Sequence, residues 1–216
     1  MKAIVLANGS LHDPEVVRAR LAAWEGALVV AANGGSRYAA LLGLRLDVVI
    51  GDLDSVDAEQ RSAWQQAGVQ VRSAPPEKDE TDLELALLYV VRQGAQHVAV
   101  IAALGSRLDM TLANVLLLTH PALRRAHVEM WNGDQTAWLI RPPDGTVNGT
   151  PGDTLSLIPL GGPARGVATL GLKYPLRGET LAFGPARGVS NVLTVSTVRV
   201  ELREGLLLAV HTPGRA

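Results

Sequence analysis

The first part of the chain alternates short apolar runs with segments of helical periodicity. Residues 2–7 (KAIVLA), 27–32 (ALVVAA), 46–52 (LDVVIGD), 69–75 (VQVRSAP) and 97–104 (HVAVIAAL) are rich in Val, Ile, Leu and Ala, which predicts buried strands. Between them, residues 14–24 predict a helix with Pro14 at its start, and 33–44 (NGGSRYAALLGL) a Gly-rich turn running into a short helix. Residues 57–67, 81–93 and the segment from 105 to 120 predict further helices, and 127–132 (HVEMWN) a closing strand. Apolar strands alternating with helices predict a parallel sheet covered by helices on both faces.

After about residue 134 the period changes. The runs 135–140, 152–161, 166–176, 179–184, 192–205 and 206–212 are alternating or β-branched, and Gly and Pro punctuate them at short intervals. These features predict an all-β sandwich. The expected organisation is therefore an α/β domain over residues 1–134 and a β-sandwich over 135–216. The stretch 141–153 (RPPDGTVNGTPGD) reads as hairpin turns inside the second domain.

Composition narrows the function. Twenty Lys and Arg balance 21 Asp and Glu, which argues against a nucleic-acid protein. No apolar run is long enough to predict a membrane span. Cysteine is absent, which makes a reducing, cytoplasmic compartment the expectation. There is no GxxxxGK[ST], GxGxxG, GxSxG or HExxH, and the His residues are scattered.

What stands out is acid placed after strands. Ligands of open α/β sheets bind beyond the carboxyl ends of the strands. There the third strand is followed by Asp52, Asp54 and Ser55, the fourth by Lys78, Asp79, Thr81 and Asp82, and the fifth by Arg107 and Asp109. Singly, each reads as a helix cap or a first-turn acid. Jointly they collect carboxylates on one edge with one Lys and one Arg. A hard divalent cation such as Mg²⁺, held with phosphate, would relieve the repulsion. Backbone amides of the Asn33-Gly34-Gly35 turn could approach the phosphate oxygens. The expected chemistry is phosphoryl or diphosphoryl transfer.

The blocks GDLDS (51–55), KDETD (78–82), GSRLDMTLAN (105–114), GLKYPL (171–176) and GVSN (188–191) occur in an order and spacing that resemble thiamine pyrophosphokinases over nearly the whole chain. The resemblance implies transfer of diphosphate from ATP to the hydroxyl of thiamine with Mg²⁺, by a homodimer. It implies that Asp52, Asp54, Asp79, Asp82 and Asp109 form the acidic catalytic site, the first four as metal ligands. It assigns substrate binding to Asn33, Ser55, Lys78, Thr81, Arg107, Asn114, Ser190 and Asn191, with the thiamine pocket between two subunits. Two positions depart from the pattern, Asn33 where the family has Asp and Met110 where its bacterial members have His. A diphosphokinase for another primary alcohol, such as a hydroxymethylpterin, and a non-catalytic binder of thiamine or nucleotide are the alternatives.

Overall fold

The structure, a computed structural model, describes residues 1–52, 56, 58–75 and 77–214. The chain divides into two units, Met1–Gly133 and Asp134–Ala216.

In the first unit, strands β1 (Lys2–Leu6), β2 (Leu28–Ala32), β3 (Val48–Gly51), β4 (Gln70–Ser73), β5 (His97–Ile101) and β6 (His127–Asn132) stand in the order β6-β5-β1-β2-β3-β4. The pairs β1–β2, β1–β5, β2–β3, β3–β4 and β5–β6 are all parallel. The registers set Ile4 beside Val29 and Ala99, and Leu6 beside Ala31 and Ile101. On one face these side chains pack with Val17 and Leu21 of α1 (Pro14–Leu21), Ala39 of α2 (Tyr38–Leu41) and Trp64 of α3 (Ala58–Gln66). The opposite face meets α4 (Asp82–Arg92), which lies against β1, β2 and β3 and buries Leu83, Ala86, Leu87 and Val90. Cover on both faces explains why Ala3, Ile4, Val5 and Leu6 are all buried, giving a continuous apolar run instead of an alternation. The remaining helix is α5 (Leu108–Leu117).

The second unit is antiparallel. Strands β7 (Gln135–Ile140), β9 (Thr154–Pro159), β12 (Asn191–Val192) and β14 (Leu207–Thr212) form one sheet in the order β12-β9-β14-β7. Strands β8 (Asp144–Asn148), β10 (Ala164–Leu170), β11 (Arg177–Leu181) and β13 (Thr197–Glu201) form the other, in the order β11-β10-β13-β8. Burial alternates strictly along β7 and β13, and the inward residues, Trp138, Ile140, Leu155, Leu157, Val198, Val200 and Leu207 among them, make one core.

This fold is the predicted α/β domain and β-sandwich, with local corrections. Residues 14–24 form α1 followed by a separate 3₁₀ turn, Ala22–Trp24. The stretch read as turns contains β8, whose partner is β13. The run 192–205 is broken between β12 and β13, because Leu193 bridges back to Leu172.

Candidate functional site

From β1 the chain steps to β2, β3 and β4 on one side, then returns to β5 and β6 on the other. The switch lies between β1 and β5, where open α/β sheets hold their ligands. A cavity of about 440 Å³ opens there. Its walls include Asn8 to Ser10 after β1, Asn33 and Arg37 after β2, Thr81 and Asp82 at the start of α4, and Gly105 to Arg107 after β5. Main-chain bonds continue past the strands, from Gly9 to Ala102 at 2.7 Å and from Ser10 to Leu104 at 2.6 Å. A side chain on Gly9 would collide with the Leu104 carbonyl, so glycine is required for this approach.

Arg37, which the sequence did not single out, ties two of these loops together. It donates to Asn8 Oδ1, to the Gly9 carbonyl at 3.0 Å and to the Tyr38 hydroxyl at 2.8 Å. The Tyr38 hydroxyl in turn donates to the Gly9 carbonyl at 2.5 Å. Among the described residues no carboxylate pairs with Arg37, whose guanidinium is held by these oxygens at the cavity wall. The residue follows NGG and reads locally as a surface cation. Only the β1–β2 adjacency reveals its position.

The predicted acids sit differently from one another. Asp52 lies just past β3, where its Oδ1 accepts from Asn33 Nδ2 at 2.8 Å; Asn33 lines the cavity and Asp52 does not. Asp82 lines the cavity and pairs with Lys78 at 3.0 Å. Thr81 also lines it, while its hydroxyl oxygen caps α4 by accepting from the Glu84 N–H at 3.1 Å. Asp79 is exposed and lines no part of the cavity. Asp109 is exposed and bound to Arg107 at 2.5 Å. That hydrogen bond, helped by the Met110 N–H, holds the Asp109 carboxyl below its ordinary value, and the same contact raises Arg107. Arg107, Met110 and Asn114 line the cavity. Asn114 is buried and donates to the Ala103 carbonyl at 2.6 Å, which fixes the loop after β5. Asp54 and Ser55 lie outside the described residues.

In the second unit, the motifs GLKYPL and GVSN come side by side. The Asn191 carboxamide accepts from the Tyr174 N–H at 3.0 Å and from its neighbour Val192 at 2.9 Å, and donates to the Tyr174 carbonyl at 2.7 Å. Lys173 N–H reaches the Val192 carbonyl and Thr194 N–H the Gly171 carbonyl, both at 2.9 Å. Asn191 is therefore buried and fully engaged in shaping this turn pair, while Tyr174, Val189 and Ser190 stay exposed on it.

Residues 21–130 match the family model for the thiamin pyrophosphokinase catalytic domain, and residues 142–207 that for its vitamin B1 binding domain. The chain belongs to the thiamin pyrophosphokinase family. It is 24% identical over 174 residues to thiamine pyrophosphokinase 1 of Oryza sativa subsp. japonica, covering 76% of this chain but only 65% of the rice protein. It is 23% identical to thiamine pyrophosphokinase of Bacillus subtilis (strain 168), over 75% of this chain and 76% of the relative. Among solved structures, the Bacillus subtilis thiamine pyrophosphokinase superposes with a TM-score of 0.86 at 22% identity, over 99% of both chains. The thiamin pyrophosphokinase of Geobacillus thermodenitrificans gives 0.82 at 28% identity, over 98% of this chain and 97% of the other.

Within this thiamin pyrophosphokinase fold the cavity draws on Asn33, Thr81, Asp82, Arg107 and Asn114 of the sequence-predicted residues. The catalytic-domain match contains all of them, and the vitamin B1 match contains Ser190 and Asn191. Among the described residues no three His, Asp or Glu side chains gather closely enough to hold a metal ion. Asp54, which the resemblance implies as a metal ligand together with Asp52, Asp79 and Asp82, lies outside those residues.

Proposed function

We propose that this chain transfers a diphosphoryl group from ATP to the hydroxyl of thiamine, giving thiamine diphosphate and AMP. The observation that carries this reading is the pair of family matches, one over the α/β unit with its strand-end cavity and one over the sandwich. In the reaction the thiamine oxygen bonds to the β-phosphorus and the bond from that phosphorus to the oxygen shared with the α-phosphorus breaks. AMP leaves, and the hydroxyl proton passes to solvent.

Such transfers depend on positioning and charge neutralisation more than on covalent catalysis. The chain's groups suit that task. Arg37 and Arg107 present guanidinium groups at the cavity for phosphate oxygens, and the α4 N-terminus, capped by Thr81, lies on the same wall. Mg²⁺ enters with ATP as part of the substrate. Oxygen donors such as Asp82 and Asp52 suit a hard cation that phosphate already ligates in part. The exposed turn with Tyr174, Val189 and Ser190 supports an acceptor surface on the sandwich. A homodimer is supported by the large apolar side chains exposed on that unit, Leu170, Phe183 and Val195 among them. Use of ATP supports a cytoplasmic location.

Purified chain with ATP, MgCl₂ and either thiamine or hydroxymethylpterin tests the reading. AMP and thiamine diphosphate should form together with thiamine. AMP formation with the pterin alone would assign a different alcohol, and none with either would mark a binder.

A further inference from the structure

The structure assigns Asn33 the role of a positioning residue for Asp52, one that its amide fills as a neutral hydrogen-bond donor. The geometry is specific. The β2–β3 register places Ala32 beside Ile50, so Asn33 and Gly51 are the next residues along the two strands. A Cβ at Gly51 would stand 2.8 Å from the Asn33 Cβ, so the Asn33 side chain lies directly on the Gly51 backbone. From there Nδ2 donates to Asp52 Oδ1 at 2.8 Å.

The amide's orientation follows from the carboxylate. Asn33 Oδ1 is buried with no partner, which an Asn normally avoids by turning over. Turning over here would set Oδ1 against Asp52 Oδ1, two acceptors at hydrogen-bond distance. The unpartnered acceptor is the lesser penalty. Asn33 also has φ +46°, in the left-handed region that Asn tolerates best among residues with a side chain.

An Asp at position 33 has the same shape, yet when ionised it cannot donate. It would bring two carboxylates together, a pair that holds only by binding a proton or a cation. In this chain, therefore, a neutral donor joins the ends of β2 and β3, and Asn33 and Asp are not interchangeable. Asn33 lines the cavity in front of Asp52, so a displaced Asp52 would also disturb the substrate's phosphates. That kinetic consequence rests on the proposed diphosphoryl transfer; the effect on folding does not.

Four proteins decide it: wild type, Asn33→Asp, Asp52→Asn and the reversed pair carrying both substitutions. Thermal melting is measured in EDTA and in excess MgCl₂, alongside kcat and the KM values for ATP and thiamine. Asn33→Asp should melt about 2–4 °C lower than wild type in EDTA, and Mg²⁺ should restore it. Wild type should gain nothing from Mg²⁺ without nucleotide. The reversed pair should recover the wild-type melt in EDTA, because one amide again faces one carboxylate. Asn33→Asp should lower kcat about tenfold with little change in the thiamine KM. A wild-type melt for Asn33→Asp in EDTA overturns the inference. So does a loss that the reversed pair retains, which the left-handed backbone at position 33 would produce by itself. If the wild type transfers no diphosphate, the proposed function fails while the melting comparison still decides this point.

Discussion

The two units treat their polar side chains in opposite ways. In the sandwich, a buried polar group is fully satisfied. Asp153 accepts from the Thr150 and Gly214 N–H groups and pairs with His211, each at 2.8 Å. Asn191 uses both ends of its carboxamide on main-chain groups. In the α/β unit, Asn33 and Asn114 each leave a buried Oδ1 unpartnered, and Arg37 carries a charge that no described carboxylate balances. All three line the cavity. The sandwich groups tie together turns that lie apart in the chain, Asp153 to Gly214 and Asn191 to Tyr174, whereas β1, β2 and β5 each end in a long crossover whose first residues border the cavity. Polar residues at the sandwich turns hold shape; those at the parallel strand ends are left with capacity for a ligand.

Removing the clamp from the sandwich should give the largest effect on stability. Asp153→Ala would leave two backbone donors and His211 without their acceptor, costing roughly 2–3 kcal/mol in chemical denaturation. Burial pushes the Asp153 carboxyl up, but the Thr150 and Gly214 N–H groups and His211 outweigh it and hold it below its ordinary value. A depressed folded value contributes stability above the unfolded one, near pH 4, and loses it as the pH falls through the folded one. The gap between wild type and Asp153→Ala should thus be full at neutral pH and shrink in acid. A gap that widened in acid would place the stabilisation elsewhere.

Arg37 sharpens the other side of the comparison. Arg37→Met should raise the ATP KM about tenfold, equivalent to ~1.4 kcal/mol, with a smaller change in the thiamine KM. Arg37→Lys keeps the charge and loses the planar fork. Recovery by Lys would identify charge as the active property, and no recovery would identify the loop clamp. An unchanged ATP KM in both variants would remove Arg37 from the site.

The smallest effect is expected at Asp109, despite its place in the GSRLDMTLAN block. Its bond to Arg107 is exposed on both sides, and such pairs contribute little. Asp109→Ala should change the melting temperature by less than about 1 °C. A substantial loss of folding stability would show the pair to be structural after all.

Much of this was legible in the sequence because buried parallel strands must be apolar throughout and sandwich strands must alternate. Both periods are visible in residues 2–7 and 135–140. Strand β8 was hidden because only Val147 among its residues is buried, and its Asp, Gly and Asn are turn formers. The acids after β3, β4 and β5 could be found by residue type and position. Their separate placements could not, because they depend on which loops adjoin. Arg37 meets Asn8 and Gly9 only because β1 and β2 are neighbours, and Asn33 meets Asp52 only through the β2–β3 register. Asn191 was read as a ligand-holding residue from a motif; the structure shows what its side chain already holds.

The central claim is that the chain transfers a diphosphoryl group intact from ATP to an alcohol. Incubating the full chain with thiamine, Mg²⁺ and ATP labelled at the γ-phosphorus tests it most directly. The account predicts that the label appears in thiamine diphosphate with an equal amount of unlabelled AMP. Label released as inorganic phosphate, or transferred to give thiamine monophosphate and ADP, would contradict it.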